Sequence, residues 1–148
     1  MATASSASRQ DATTARGDRT TAQLFAYLIG AVLVVTGLIG FIVDASFDTG
    51  STIQGDKLLG IFEVNGIHNL VHIASGLLLL AVAPKRGTAK LGVIAFGVVY
   101  GIVTLIGIID GETVLGLIPV NAADNVLHVI LTAGALFIGL MSPGDDRR

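Results

Sequence analysis

Eight polar side chains recur at one spacing in two stretches of an otherwise apolar sequence. The stretches are VNGIHNLVH, which begins at Val64, and VNAADNVLH, which begins at Val120. The eight side chains are those of Asn65, His68, Asn69, His72, Asn121, Asp124, Asn125 and His128. Helix positions i, i+3, i+4 and i+7 lie on one face, so each set of four is expected to project into the same space. Amides, imidazoles and a carboxylate can hydrogen-bond between helices, bind a metal or haem, or carry protons.

Three interpretations of this polar cluster stay open. In the first, which the apolar surroundings favour, the cluster is structural or binds a protein partner, and interhelical hydrogen bonds contribute about 0.6–2 kcal/mol each. An imidazole–carboxylate pair between His68 and Asp124 is expected in this interpretation. In the second, His72 and His128 face each other and bind haem axially, or bind a divalent metal ion together with the first pair. In the third, the histidines make the protein a proton-linked or pH-sensing membrane component, which requires an oligomer.

Enzyme activity is not favoured by the sequence. There is no Gly-rich phosphate loop after a strand, no zincin helix and no nucleophile elbow. Ser75 lies one turn from His72, but an apolar segment offers this pair no evident oxyanion hole. No catalytic residue is therefore predicted.

The composition indicates a membrane protein. Hydrophobic residues make up 52% of the 148 residues and charged residues only 14%, against about 25% charged residues in soluble domains. The net charge of −2 and the lack of a basic patch argue against nucleic-acid binding. The chain has no cysteine, which excludes disulfides and thiolate ligands. The lipid bilayer is the expected partner, and a membrane-protein partner or a homo-oligomer stays open.

Four apolar segments are predicted to be transmembrane helices, because each has the length that spans about 30 Å of hydrocarbon. They cover residues 24–43, 65–83, 91–109 and 121–141. Together they form one domain over residues 22–142. Residues 1–21 are rich in Ala, Ser and Thr and predict a disordered tail, and residues 143–148 predict a second, short tail.

The basic residues predict the orientation. If four helices cross, eight of the nine lie on one side, and Lys57 alone lies on the other side with the acidic loops. Basic residues favour the cytoplasmic side of a membrane. Both tails are therefore predicted to be cytoplasmic, in a multi-pass protein of the cell membrane.

The sequence also predicts an internal duplication. LGIFEVNGIHNLVHIASGLLL begins at Leu59, and LGLIPVNAADNVLHVILTAGA begins 56 residues later at Leu115. The preceding segments end in LIGFIVD at Asp44 and LIGIID at Asp110. Two helices return the chain to its starting side, so the repeats are parallel and related by a pseudo-twofold axis along the membrane normal. The predicted fold is an all-α four-helix bundle of two tandem helical hairpins, with the second and fourth helices facing each other.

The run FEVNGIHNLVHIASGLL, followed by further apolar spans, resembles a bacterial family of uncharacterised membrane proteins, domain of unknown function 4383. The resemblance covers about residues 22–142. It implies a small four-helix membrane protein and carries no known activity, cofactor or site.

Overall fold

Within residues 18–144, which the computed structural model describes, the chain forms four α-helices. They are α1 (Thr21–Val43), α2 (Gly66–Val82), α3 (Arg86–Asp110) and α4 (Ala122–Met141). The prediction of four helices is confirmed. Residues 1–17 and 145–148, which include most of both predicted tails and four of the nine basic residues, lie outside the described residues.

The helices run alternately up and down, so the bundle has two distinct ends. At the base, where α1 and α3 begin, Thr20 caps α1 through a capping box with Gln23. The Gln23 amide also donates to the Ala83 carbonyl at the end of α2 (3.0 Å). The Ser142 hydroxyl, just after α4, accepts from the N–H of Ala22 (2.9 Å). These bonds satisfy exposed backbone groups at the helix ends and tie α1 to both α2 and α4.

Small residues let neighbouring helices approach closely. A Cβ atom on Gly30 of α1 would lie 2.9 Å from the Gly76 carbonyl oxygen of α2, and one on Gly76 would lie 2.6 Å from the Gly30 oxygen. In α3 and α4, a Cβ atom on Gly139 would lie 2.6 Å from the Ile94 side chain. Close backbone contacts through small residues are characteristic of helix packing in membranes. The chain therefore forms two tight pairs, α1 with α2 and α3 with α4.

Most of the helix surface is apolar and exposed. Among the helices of residues 18–144, α1, α3 and α4 are long and apolar enough to cross a membrane, and only 22–33% of the residues in their most apolar stretches are buried. Helix α2 is equally apolar in character but shorter, at 17 residues. A helix that exposes this much hydrocarbon needs an apolar solvent, and these features suggest a membrane protein.

Two short β-hairpins form the other end of the bundle, and they depart from the all-α prediction. Strand β1 (Asp56–Leu58) pairs antiparallel with β2 (Phe62–Val64). Strand β3 (Thr113–Val114) pairs in the same way with β4 (Ile118–Pro119). Each hairpin leads directly into the helix that follows it, α2 or α4. Together the two hairpins make up what is called the cap below.

Each hairpin turns on a Leu-Gly pair in the left-handed region. The φ angles are 54° at Leu59 and 76° at Gly60, and 56° at Leu115 and 66° at Gly116. Two successive positive φ angles are the signature of a type I′ turn, which normally takes Asn-Gly or Asp-Gly. A leucine in this region costs roughly 1–2 kcal/mol. The strands are two or three residues long and lack the usual turn signal, so the sequence did not predict them.

The apolar core fills the base half of the bundle. Its buried members come from all four helices and are Ala22, Ala26, Leu33, Leu79, Ala83, Ala89, Val93, Phe96, Tyr100 and Ala135. The polar cluster lies above this core, at the starts of α2 and α4 directly beneath the cap.

Candidate functional site

Three side chains of the polar cluster cap helices, and we name them the capping layer: Asn65, Asn121 and Asp124. Asn65 stands at the N-cap of α2 and accepts from the N–H of His68 (2.8 Å). Asn121 stands at the N-cap of α4 and accepts from the N–H groups of Ala123 and Asp124 (2.8 and 3.1 Å). Asparagine is among the preferred N-cap residues because its side chain satisfies N–H groups that have no partner inside the helix.

The two N-cap asparagines also exchange hydrogen bonds between the hairpins. The Asn65 amide donates to the carbonyl of Leu117 in the second hairpin (3.1 Å). The Asn121 amide donates to the carbonyl of Ile61 in the first hairpin (2.7 Å). Donors and acceptors are each 56 residues apart, so the two bonds are equivalent and reciprocal. Each helix start is thereby fixed to the opposite hairpin.

Asp124 completes the capping layer and does not pair with His68. Its carboxylate accepts from the N–H of Asn121 and from the N–H of Glu63 in the other hairpin (3.0 Å each). Within residues 18–144 the imidazole nitrogens of His68 make no hydrogen bond, so the expected His68–Asp124 pair is wrong. The position 56 residues after Glu63 is Pro119, which has no N–H to offer a carboxylate, and the position equivalent to Asp124 accordingly holds a histidine.

Asn69 and Asn125 lie one turn deeper, each against a glycine of the preceding helix. Asn69 is fully buried and donates to the backbone carbonyl of Asp44 (2.8 Å). A Cβ atom on Gly40 would overlap the Asn69 amide, and one on Gly107 would lie 2.8 Å from Asn125 Oδ1. The glycines thus provide the space in which both amides sit.

The three histidines converge at the same depth, and we name them the histidine layer: His68, His72 and His128. Ring centroids are 4.5 Å apart for His68 and His72, 6.1 Å for His68 and His128, and 6.2 Å for His72 and His128. One ring nitrogen of each lies within 4.8 Å of the corresponding nitrogen of the other two. His68 and His128 are buried, with 2% and 5% of their surface exposed, and His72 is partly buried. The structure therefore brings His72 and His128 near each other and adds His68 to them.

Sequence reasoning missed Tyr100 of α3, which borders the histidine layer. Its ring lies 5.4 Å from the His128 ring, edge to face, and 4.0 Å from the ring of Phe96. Its hydroxyl is 3.0 Å from the hydroxyl of Ser75. Ser75 thus pairs with Tyr100, and also donates to the Val71 carbonyl (2.6 Å). The one available signal was a tyrosine inside an apolar helix, where its hydroxyl must find a partner.

Asp44 and Asp110, which end α1 and α3, hold the backbone of their own hairpin units. Asp44 accepts from the N–H groups of Ser46 and Asp56 (2.7 and 3.2 Å), and Asp110 accepts from the N–H of Leu115 (3.3 Å). Partial burial alone raises the pKa of Asp44, but the hydrogen bonds from Ser46 and from the Asp56 backbone outweigh it. The pKa of Asp44 therefore lies below its ordinary value of 3.8.

A family model described as a domain of unknown function (DUF4383) matches residues 23–141, which include all eight residues of the polar cluster. No curated protein and no solved structure matches the chain.

Proposed function

The chain belongs to the family defined by this domain of unknown function, and we propose that it is a multi-pass structural protein of the cell membrane. In this proposal two tandem helical hairpins cross the bilayer, and the capping layer locks them together at the outer face. The observation that carries the proposal is the reciprocal exchange in which Asn65 and Asn121 each bond the opposite hairpin. Such bonds fix one register between helices whose apolar surfaces would otherwise slide past each other.

Descent of the two halves from one duplicated unit is supported by four equivalent features. Both hairpins turn on Leu-Gly with positive φ, and both following helices have an asparagine N-cap. Both units seat an asparagine on a glycine, and both end their first helix with an aspartate that accepts backbone N–H groups. Each pair is related by the alignment of the two repeats, which a pseudo-twofold axis along the bundle explains.

Four crossings are proposed, including one by α2. At 1.5 Å per residue its 17 residues span about 26 Å, slightly less than a typical hydrocarbon core, which a membrane accommodates by thinning locally. Lys85, Arg86 and Lys90 lie at the base, and the acidic residues lie mostly at the cap. The base and both tails are therefore assigned to the cytoplasm, and the cap to the outside.

Cysteine labelling tests this topology without background, because the chain has no cysteine of its own. Ser51→Cys places an exposed thiol at the cap, and Lys85→Cys places one at the base. A membrane-impermeant maleimide applied to intact cells is expected to label the Ser51→Cys variant at once and the Lys85→Cys variant only after the cells are permeabilised. The reverse pattern would invert the orientation, and labelling of both in intact cells would contradict an even number of crossings.

A partner-binding version of this role is favoured by the hairpin tips. Leu59 and Leu115 are bulky apolar residues in a strained backbone conformation, yet they are 83% and 68% exposed. Strained residues are retained where they serve a function, and a membrane protein that contacts the cap would cover them. A photo-crosslinking residue at position 59 is expected to capture such a protein in cells, whereas one at the exposed position 54 beside the hairpin is not. Equal labelling from both positions would remove this version.

A further inference from the structure

Three imidazoles converge beneath the cap without satisfying one another. We infer that His68, His72 and His128 form a binding site for one divalent transition-metal ion of the zinc class. The structural role proposed above does not use these side chains, so this site is a separate property of the protein. The inference rests on their convergence, their unpaired nitrogens and the other groups around them.

The unpaired nitrogens are the first argument. In the described part of the chain, Nδ1 of all three histidines and Nε2 of His68 are buried and make no hydrogen bond. A buried polar group without a partner costs about 1–3 kcal/mol, and the chain has placed several of them within a few ångströms. Imidazoles cannot all satisfy one another, because each neutral ring has one donor and one acceptor. A cation bound by one acceptor nitrogen from each ring satisfies all three at once.

The donor set decides the class of ion. Neutral imidazole nitrogen suits Zn²⁺, Cu²⁺, Ni²⁺ and Co²⁺, whereas Mg²⁺ and Ca²⁺ require oxygen ligands. The Asp124 carboxylate, which lies one turn before His128 on α4, is already held by two backbone N–H groups. The chain has no thiol that would favour a softer ion. Three histidines with a fourth position left open form a known arrangement for zinc.

The fourth position is expected to take a small anion or hydroxide. Three neutral imidazoles leave the +2 charge of the ion uncompensated, and an uncompensated charge is costly in an apolar site. Metal binding lowers the pKa of a bound water, so hydroxide forms readily at such a centre. The carboxylate of Asp124, one turn away on the same helix, adds a nearby negative charge.

Haem fits these side chains less well than a single ion. Axial ligation needs two histidines on opposite faces of a flat macrocycle with open space between and around them. Here the His68 ring lies 4.5 Å from His72 and 6.1 Å from His128, and Tyr100 lies 5.4 Å from His128 on another side. These rings occupy the space that a macrocycle would need.

The existing spacing requires only a small closure. Zinc–nitrogen bonds of about 2.0–2.1 Å in a tetrahedral site place the ligand nitrogens about 3.4 Å apart. The nitrogens now lie within 4.8 Å of one another, so the largest movement is roughly 1.4 Å, which side-chain rotation supplies. All three histidines lie within two turns of a helix start, and the apolar core lies on the base side of them. The ion is therefore expected to reach the site from the cap.

Metal binding by the purified protein tests the inference directly. Untagged full-length chain in detergent is stripped with a chelator and titrated with Zn²⁺ by calorimetry and with Co²⁺ by visible absorption. One ion per chain is expected, and the Co²⁺ complex should show the intense d–d bands of four-coordinate nitrogen ligation. The His68→Ala and His128→Ala variants are expected to bind Zn²⁺ more than about 100-fold more weakly, since even losing a partner of a ligand costs 10–100-fold.

Thr132→Val is the matched control. Thr132 lies one turn after His128 on α4, and its hydroxyl is also buried without a hydrogen bond, so the control removes a comparable polar group and leaves all three imidazoles. Zn²⁺ affinity is expected to be unchanged in it. Circular dichroism and thermal unfolding establish that each variant is folded, and His128→Gln replaces any alanine variant that is not.

Three results would overturn the inference. The first is folded wild-type protein that binds no Zn²⁺ or Co²⁺ at one ion per chain. The second is binding that survives in folded His68 and His128 variants. The third is a haem spectrum in protein purified without added metal, lost on substitution of His72 or His128, which would assign the site to haem instead.

Discussion

The capping layer and the histidine layer lie within two turns of each other on the same two helices, and they differ in how their polar groups are satisfied. Asn65, Asn121 and Asp124 accept backbone N–H groups, and both asparagines also donate to a carbonyl of the opposite hairpin. The histidine layer forms no hydrogen bond through Nδ1 of any ring among the described residues. Polar residues that recur at one spacing in an apolar sequence therefore need not share one task.

The difference teaches how to separate structural from ligand-binding polar groups in such a bundle. A satisfied group contributes to stability and its loss should unfold the protein. An unsatisfied buried group lowers stability and is retained for another reason. The sign of the change in unfolding free energy, in metal-free protein, thus distinguishes the two layers.

The largest effect is expected from removing the capping layer's exchanged bonds. Asn65→Ala and Asn121→Ala each lose an N-cap, at about 1 kcal/mol, and leave a carbonyl of the other hairpin unpaired, at about 1–3 kcal/mol. The double variant should lose roughly 4 kcal/mol or more of unfolding free energy, measured by denaturation in detergent micelles. If the double variant were as stable as the wild type, the capping layer would have no structural role.

Replacing a member of the histidine layer should have the opposite sign. In metal-free protein His68→Leu removes two unpaired buried nitrogens and is expected to raise the unfolding free energy by about 1 kcal/mol, after the cost of an imperfect fit. Asn69→Leu, one residue along the same helix, is the matched control. It should destabilise the protein, because Asn69 donates to the Asp44 carbonyl. Destabilisation by both substitutions would erase the distinction between the layers.

Relief of the hairpin tips tests whether the cap is optimised for stability. Asparagine tolerates the left-handed conformation at Leu59 better than leucine does. Leu59→Asn is expected to stabilise the protein by about 1 kcal/mol in thermal unfolding, and Leu115→Asn should give a similar gain at the equivalent tip. A loss of stability at both sites would mean that the exposed leucines pack against the cap rather than serve a partner.

The smallest effect is expected from acid. Asp44 ends α1, its carbonyl accepts from Asn69, and its carboxylate holds the N–H groups of Ser46 and Asp56. Because the pKa of Asp44 is lowered in the folded protein, its contribution is complete above its ordinary value of 3.8 and is lost as the pH falls through the folded value. The amide chemical shifts of Ser46 and Asp56 should move together below that pH, and Asp44→Asn should abolish the movement.

The helices could be predicted from the sequence because their length and hydrophobicity leave few alternatives. The predicted segment 91–109 lies within α3, for instance, which begins earlier at Arg86 because Gly87 and Thr88 continue the helix. The grouping of His72 and His128 was also predictable, since the repeat places them at equivalent positions of two helices. These inferences need only periodicity, and periodicity is strong in a chain with few polar residues.

The hairpins and the third histidine were not predictable, for different reasons. The strands are too short to show alternation, and their turns use Leu-Gly where the usual signal is Asn-Gly. The partner of His68 depended on one backbone difference: Glu63 offers an N–H to Asp124, and Pro119 offers none at the equivalent position. A difference of this kind becomes visible only when both hairpins are seen side by side.

The exchanged asparagine bonds also bear on how the chain is synthesised. They join residues 52 and 60 positions apart in the chain, so neither can form until the ribosome has made nearly all of the second hairpin. The nascent first half must therefore exist for a time with the Asn65 amide and the Ile61 carbonyl unclaimed. Docking of the two halves is a late step of biogenesis, and a chain truncated before residue 117 lacks the groups that complete it.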